Sequence, residues 1–83
     1  MKINYRKAFN KLKAIGAPVI EGGWNGEDTF RISGEYNDEK IWADYWNQNF
    51  GHCGISHEIE KILTEHDLFA EWINGGVLGV YEI

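Results

Sequence analysis

The C-terminal stretch LFAEWINGGVLGVYEI, residues 68–83, says most about the fold. Two runs that alternate apolar with other residues flank the pair Asn74-Gly75, and an Asn-Gly pair in this setting is a strong signal for a β-hairpin. We expect Gly75 to adopt a positive φ in the turn, and Trp72 to lie opposite Val80. The stretch therefore predicts two neighbouring strands of an antiparallel sheet.

Upstream, two further short segments have strand character. PVIEG, residues 18–22, and TFRIS, residues 29–33, are separated by the turn-like GGWNGED, and the second segment alternates Phe30 and Ile32 with polar residues. The glycines between them are turn residues, because no Lys-Ser/Thr follows them as in a phosphate-binding loop.

The segment KIWADYW, residues 40–46, is compatible with a strand or a helix. A helix capped by Asn37 or Asp38 would group Ile41, Trp42, Tyr45 and Trp46. A strand would put Ile41, Ala43 and Tyr45 on one face, and Trp42, Asp44 and Trp46 on the other. We favour the strand, because aromatic and β-branched residues dominate and a turn cluster lies on each side.

Two helices complete the prediction. The first covers residues 4–15, capped by Asn4 and ended by Gly16 and Pro18, with a buried stripe at Tyr5, Ala8, Phe9, Leu12 and Ile15. The second follows Ser56 as N-cap and buries Ile59, Ile62 and Leu63. The order α-β-β-β-α-β-β predicts one α+β domain over residues 1–83, with about five antiparallel strands and both helices on one face of the sheet.

Charge is distributed unevenly along the chain. Residues 14–83 hold all thirteen acidic residues against Arg31, Lys40 and Lys61, a net charge of 3 − 13 = −10. The first thirteen residues carry five basic residues and no acid: Lys2, Arg6, Lys7, Lys11 and Lys13. Such an acidic body repels a nucleic-acid backbone and is attracted to basic surfaces, so the basic helix is expected to be a solvated outer face, partly paired with acids of the body.

The sequence also suggests a cellular setting. The single cysteine, Cys53, excludes an internal disulfide, and the N-terminal stretch MKINYRKAFNKLK has no apolar core like that of a signal peptide. No apolar segment is long enough to cross a bilayer. We therefore expect a soluble protein of the cytoplasm.

The loop NQNFGHCGISHE, residues 47–58, holds His52, Cys53 and His57, but its spacing argues against a metal or catalytic site. His52 and Cys53 are adjacent, and His66 lies on a different helical face from His57, whereas a structural zinc site needs four convergent ligands. No third group marks a Cys-His nucleophile. We predict no metal, no cofactor and no catalytic residue, with Cys53 packed as a small hydrophobe.

Four stretches of the chain resemble small phage- and prophage-encoded proteins: IGAPVIEGG (15–23), ISGEYND (32–38), WADYW (42–46) and LFAEWINGGVLGVYE (68–82). The resemblance implies a fold and a genomic setting, which would make the cytoplasm that of a host cell. Small phage proteins of this size and acidity are often host-takeover or anti-defence factors, including anti-CRISPR proteins. The resemblance carries no functional residue onto this chain.

We therefore predict a small acidic protein-binding module rather than an enzyme. Its partner would be a host protein with a basic, nucleic-acid-handling surface, with no direct contact to nucleic acid or membrane, and the module would be a monomer or a homodimer. One alternative is a ligand-binding or catalytic pocket near Trp42, Tyr45, His52 and Cys53, and another is a structural homo-oligomer. The predicted partner-binding residues combine acidic and aromatic side chains: Glu35, Asp38, Glu39, Trp42, Asp44 and Trp46.

Overall fold

Two helices and four strands make up the fold in the computed structural model, which describes residues 1–34 and 40–83. In chain order they are α1 (Ile3–Ala14), β1 (Val19–Glu21), β2 (Phe30–Ser33), α2 (His57–Thr64), β3 (Leu68–Asn74) and β4 (Val77–Glu82). The strands form one antiparallel sheet in the order β1-β2-β4-β3. The α+β class is confirmed, whereas the expected number of about five strands is slightly too high.

The missing strand is the one predicted for residues 40–46. Within the described part of this segment, only Ala43 makes a β-bridge, an isolated one to Ile55, and the chain turns at Tyr45 and Trp46. The helix considered as an alternative does not form either. Alternating aromatic residues resembled a sheet face, but here Trp42 enters the core on its own while Ile41 stays 58 % exposed.

The predicted C-terminal hairpin is present, but with a different register and turn. Trp72 lies opposite Leu78, not Val80, which pairs with Ala70. An irregularity between Trp72 and Asn74 adds a residue to β3, as a β-bulge does. The side-chain oxygen of Asn74 accepts a hydrogen bond from the Gly76 N–H over 2.8 Å. Gly75 does not have the expected positive φ, so the proposed turn geometry was wrong.

The core lies between one face of the sheet and the two helices. Phe30 is fully buried at its centre and is met edge-on by Tyr5 and Phe9, with ring centroids 6.4 and 5.4 Å away. The stripe predicted for α1 is buried through Leu12, but Ile15 is 43 % exposed because the helix ends at Ala14. The remaining large, fully buried side chains come from β2, α2, β3 and β4: Ile32, Ile59, Leu63, Leu68 and Leu78.

The two helices begin in different ways. Ser56 caps α2 as predicted, and its hydroxyl accepts a hydrogen bond from the Ile59 N–H over 3.3 Å. Helix α1 begins at Ile3, one residue before the predicted start, and its N-cap Lys2 makes no side-chain capping bond. The side chain of Asn4 instead donates to the carbonyl of His66 at 3.2 Å, which ties α1 to the end of α2.

The basic residues at the N-cap and first turns of α1 are partly paired with acids of the sheet. Lys2 contacts Glu82 and Arg6 contacts Glu21, each over 2.6 Å. The hydrogen bond and negative charge of Glu82 raise the pKa of Lys2, and burial raises the pKa of Tyr5 above its ordinary value. Exposed ion pairs of this kind contribute little to the free energy of unfolding, so α1 is held on the sheet mainly by its buried apolar side chains.

Within residues 1–34 and 40–83, no helix is long and apolar enough to cross a membrane. Helices α1 and α2 are both too short and too polar to span a bilayer.

The loop of residues 42–56 crosses from the sheet to α2 with an unusual backbone. Gly51, Cys53 and Gly54 all have positive φ, which is rare for a residue with a side chain such as Cys53. Gly54 also packs so closely that an added Cβ would collide with the carbonyl oxygen of Asp44. Glycine is therefore required at position 54 for its conformation and for its lack of a side chain.

We predict that Gly54→Ala costs about 2–4 kcal/mol of unfolding free energy, whereas Gly26→Ala costs about 1–2 kcal/mol. The two glycines have nearly equal φ, +81° and +83°, but a Cβ at Gly26 would have nothing within 4 Å. The pair of variants therefore separates backbone strain from the collision with Asp44. Chemical denaturation measures both losses, and equal losses would mean that Gly54 is not packed against the carbonyl of Asp44.

Candidate functional site

Three aromatic rings meet beside the hairpin turn and are here called the aromatic cluster: Tyr45, Trp46 and Trp72. The ring of Tyr45 stands edge-on to both indoles, 5.1 Å from Trp46 and 5.3 Å from Trp72 between centroids. Trp46 lies over Gly75, where an added Cβ would come within 3.5 Å of its indole. Trp46 is nevertheless 85 % exposed. The cluster thus presents one large apolar ring to solvent on a support of packed aromatic rings.

Backbone and side-chain hydrogen bonds fix the position of Trp46. The carboxylate of Asp44 accepts a hydrogen bond from the Trp46 N–H over 3.0 Å, and the Asp44 N–H donates to the Gly54 carbonyl over 2.7 Å. Farther along the loop, the Ser56 N–H donates to the Trp42 carbonyl over 3.0 Å. Aspartate commonly stabilises tight turns by such a bond to the N–H two residues ahead. The turn that carries Trp46 is therefore held at both ends of the loop.

Trp72 connects this loop to the sheet. Its indole N–H donates to the carbonyl of Cys53 over 2.8 Å, and the same ring packs against Gly54. On its other side the ring lies close to Gly34, where an added Cβ would be 2.6 Å from it. The Trp72 indole thus connects β3 to Gly34, just after the end of β2, and to the loop of residues 42–56.

The structure divides the six predicted partner-binding residues into three groups. Trp46 is exposed as expected, and Asp44 is half-buried with its carboxylate used in the turn. Trp42 is 5 % exposed, with the Lys40 ammonium 4.3 Å above its ring, so Trp42 belongs to the core and its inclusion in an exposed patch is corrected. The other three predicted residues, Glu35, Asp38 and Glu39, lie outside the residues that the structure describes.

The alternative pocket is not assembled as expected. His52 and Cys53 line a groove of about 260 Å³, but neither Trp42 nor Tyr45 lines it. The His52 Nδ1 lies 3.1 Å from a carboxylate oxygen of Glu60. Cys53 is exposed, and so does not pack as a small hydrophobe.

The histidines and the cysteine do not converge either. Over the described ranges, no three or more His, Cys, Asp or Glu side chains lie together as the ligands of a metal ion would. His57 is exposed at the start of α2, and the Nδ1 of His66, which follows the end of α2, lies 2.7 Å from the carbonyl of Ile62 in that helix. The absence of bound metal stays a prediction.

A second hollow, of about 320 Å³, lies near the β1–β2 turn. Trp24, Tyr81 and Ile73 contribute apolar walls, and Glu27 contributes a carboxylate that accepts a hydrogen bond from the Asn25 N–H. Trp24 is 51 % exposed, and among residues 1–34 and 40–83 it makes no ring contact of the kind that backs Trp46. Two exposed tryptophans thus lie in different surroundings, which makes Trp24 a natural control for Trp46.

Sequence reasoning missed the part played by Trp72 and Gly75. Both were assigned to the hairpin alone, because nothing local in the sequence relates them to the loop. The signal lies in long-range packing: Trp72 and Cys53 are nineteen residues apart in the chain and meet only in the folded protein.

Comparisons with known proteins give no relative from which a function could be inferred, so a proposal must rest on this chain's own residues. No protein-family model matches the chain, and no curated protein or solved structure matches it.

Proposed function

We propose that this chain is a small protein-binding module that engages a basic surface of a host protein through Trp46 and nearby acidic residues. In this proposal it acts as an inhibitor encoded by a phage or another mobile element, of the anti-defence kind that includes anti-CRISPR proteins. The host surface is one that normally handles nucleic acid, because such surfaces carry the positive charge that an acidic protein can occupy.

One observation carries the proposal: Trp46 is 85 % exposed although its ring is backed by Tyr45 and its backbone is held by Asp44. Tryptophan is among the residues most enriched at the energetic centres of protein interfaces. A ring that is already fixed loses little conformational freedom on binding, so more of its burial energy remains as affinity. An exposed tryptophan that only filled space would not need this support.

Charge supports the same kind of partner. Residues 14–83 carry a net charge of −10, and acidic side chains such as Asp67 and Glu71 are exposed. An acidic surface increases the rate at which a basic partner is encountered, while buried aromatic contacts govern how long the complex lasts. Near the start of the chain, Lys2 and Arg6 are paired with Glu82 and Glu21, and the chain as a whole keeps a net charge of −5.

We predict that Trp46→Ala weakens binding to the partner about thirtyfold, or about 2 kcal/mol, mainly by faster dissociation. Trp24→Ala removes the same exposed side chain near the other hollow and should leave binding unchanged. Affinity capture from the native cell lysate, with the wild-type protein and both variants as baits, identifies the partner as a protein that only Trp46→Ala fails to retain. Surface plasmon resonance then gives the rates.

The folding of both variants is checked by thermal denaturation, and little change is expected because exposed side chains contribute little to stability. If every captured protein is retained equally by the wild type and by Trp46→Ala, Trp46 is not the centre of a binding surface and the proposal fails.

Salt and charge reversal provide a second test. We predict that raising salt from about 50 to about 300 mM slows association much more than it speeds dissociation, because screening acts on the approach of the two proteins. Asp38→Lys and Glu39→Lys should each reproduce slow association at low salt. Glu65→Lys changes the net charge equally at the end of α2 and is the matched control.

Association rates are measured by surface plasmon resonance for all three charge variants. A rate that falls equally for Glu65→Lys would indicate an effect of net charge alone. Rates unchanged in all three variants, together with activity lost on changing His52, which lines the groove whereas Tyr45 does not, would favour the pocket over the acidic surface.

A further inference from the structure

Strand β3 forms one edge of the sheet, with β4 as its neighbour on the inner side. The Ile83 N–H donates to the carbonyl of Asp67, which lies directly opposite it in the register of β3 and β4. Hydrogen-bonded and non-hydrogen-bonded pairs alternate along an antiparallel ladder. Phe69 and Glu71 therefore bond to β4, while the backbone groups of Ala70 and Trp72 point away from the sheet.

Within the part of the chain that the structure describes, these outward groups are free to accept another strand. Among residues 1–34 and 40–83, no hydrogen bond reaches the outward N–H or C=O of Ala70 or Trp72. An edge of this kind is a template for pairing with an additional extended segment, and many proteins bind peptides in this way.

A groove of about 260 Å³ runs along this same edge. Four consecutive residues of β3 line it. The side chains of Ala70 and Trp72 lie on the helix side of the sheet, and those of Phe69 and Glu71 lie on the opposite side. A hollow lined by both faces of one strand must lie along the outer edge of that strand. The Cys53 segment closes it on the helix side, next to the buried Ile55.

The chemistry of the groove indicates which segment fits. Apolar walls come from Ile55, Ala70 and Trp72 on the helix side, and Phe69 is 40 % exposed on the other side. Among the described residues of the lining, Glu60 and Glu71 are acidic, His52 lies beside Glu60, and none is lysine or arginine. An incoming strand would place alternate side chains against these two surfaces.

We propose that β3 binds an extended segment of a partner protein that alternates apolar and basic residues, and adds it to the sheet as an antiparallel strand. The apolar side chains enter the groove beside Ala70 and Trp72, and the basic side chains lie on the other face near Glu71. This surface is separate from Trp46 and does not rest on the function proposed above.

A second copy of the chain is a less suitable occupant. Two β3 strands paired about Glu71 would set one carboxylate directly opposite the other, which is unfavourable in a sheet. The net charge of −5 on each copy also opposes self-association. A basic partner segment has neither disadvantage.

The test uses a synthetic peptide of about eight residues, the length of a typical strand, in which valine and lysine alternate. Nuclear magnetic resonance titration of the full chain gives the affinity, and hydrogen exchange reports on the amides of Ala70 and Trp72. We expect both amides to become protected when the peptide binds, and Trp46→Ala to leave this binding unchanged. A valine–glutamate peptide is the charge control and should not bind.

N-methylated peptides test the geometry without altering the protein. In an antiparallel sheet, two residues that hydrogen-bond to each other have their side chains on the same face. The peptide residues that bond to Ala70 and Trp72 are therefore the valines in the groove, and the valine amides should point at β3. N-methylation of the valines should weaken binding about tenfold or more, because it removes several hydrogen bonds, whereas N-methylation of the lysines should not. Ala70→Pro removes an outward N–H at a sheet edge, where proline is tolerated, and Ala70→Ser is its control.

Four results would overturn the proposal. They are no peptide binding, equal binding of both N-methylated peptides, binding that leaves the amides of Ala70 and Trp72 unprotected, and protection of these amides by concentration-dependent dimerisation without peptide. The last result would identify a second copy of the chain as the occupant.

Discussion

The hydrogen bond from the Trp72 indole to the Cys53 carbonyl, 2.8 Å long, joins the hairpin to a loop that has almost no regular structure of its own. Strand β3 lies at the edge of the sheet with β4 as its one neighbouring strand, and a loop with positive φ at Cys53 must be held by its surroundings. Trp72 supports both with one side chain, since its ring packs against Gly34 and Gly54 while its N–H bonds to the loop. The aromatic cluster forms where these contacts meet.

Both surfaces proposed for binding depend on this arrangement. Tyr45 packs edge-on against Trp72 and also contacts Trp46. The position of the exposed Trp46 ring therefore depends, through Tyr45, on the Trp72 indole. On the other side, the bond to Cys53 closes the groove beside the edge of β3. The fold thus places a fixed aromatic ring and an unpaired strand edge near one end of a sheet, in a chain whose body is strongly acidic.

Local patterns in the sequence were enough to predict much of the fold. The stripe of α1, the Ser56 cap of α2 and the Asn-Gly hairpin each depend on residues close together in the chain. The structure contains all three, although Ile15 leaves the stripe and the hairpin differs in register and turn geometry. The prediction was wrong for residues 40–46, where the alternation of aromatic residues resembled a strand but reflects one buried ring, Trp42, followed by a turn. The candidate site was predicted only in part: Trp46 is exposed, whereas the support from Trp72 arises from long-range packing that no local pattern reveals.

The central claim is that Trp72 holds residues 42–56 in one fixed structure, and hydrogen exchange measured by nuclear magnetic resonance tests it most directly. The account predicts that the Trp72 indole N–H and the amides of Asp44 and Ser56 exchange at least about a hundredfold more slowly than the exposed indole of Trp46. It also predicts that Trp72→Phe, which keeps a ring but loses the N–H, speeds exchange at Asp44 and Ser56 while β4 stays protected. If the Trp72 indole and both amides of the wild-type protein exchange as fast as the Trp46 indole, the loop is not held by Trp72 and the account is contradicted.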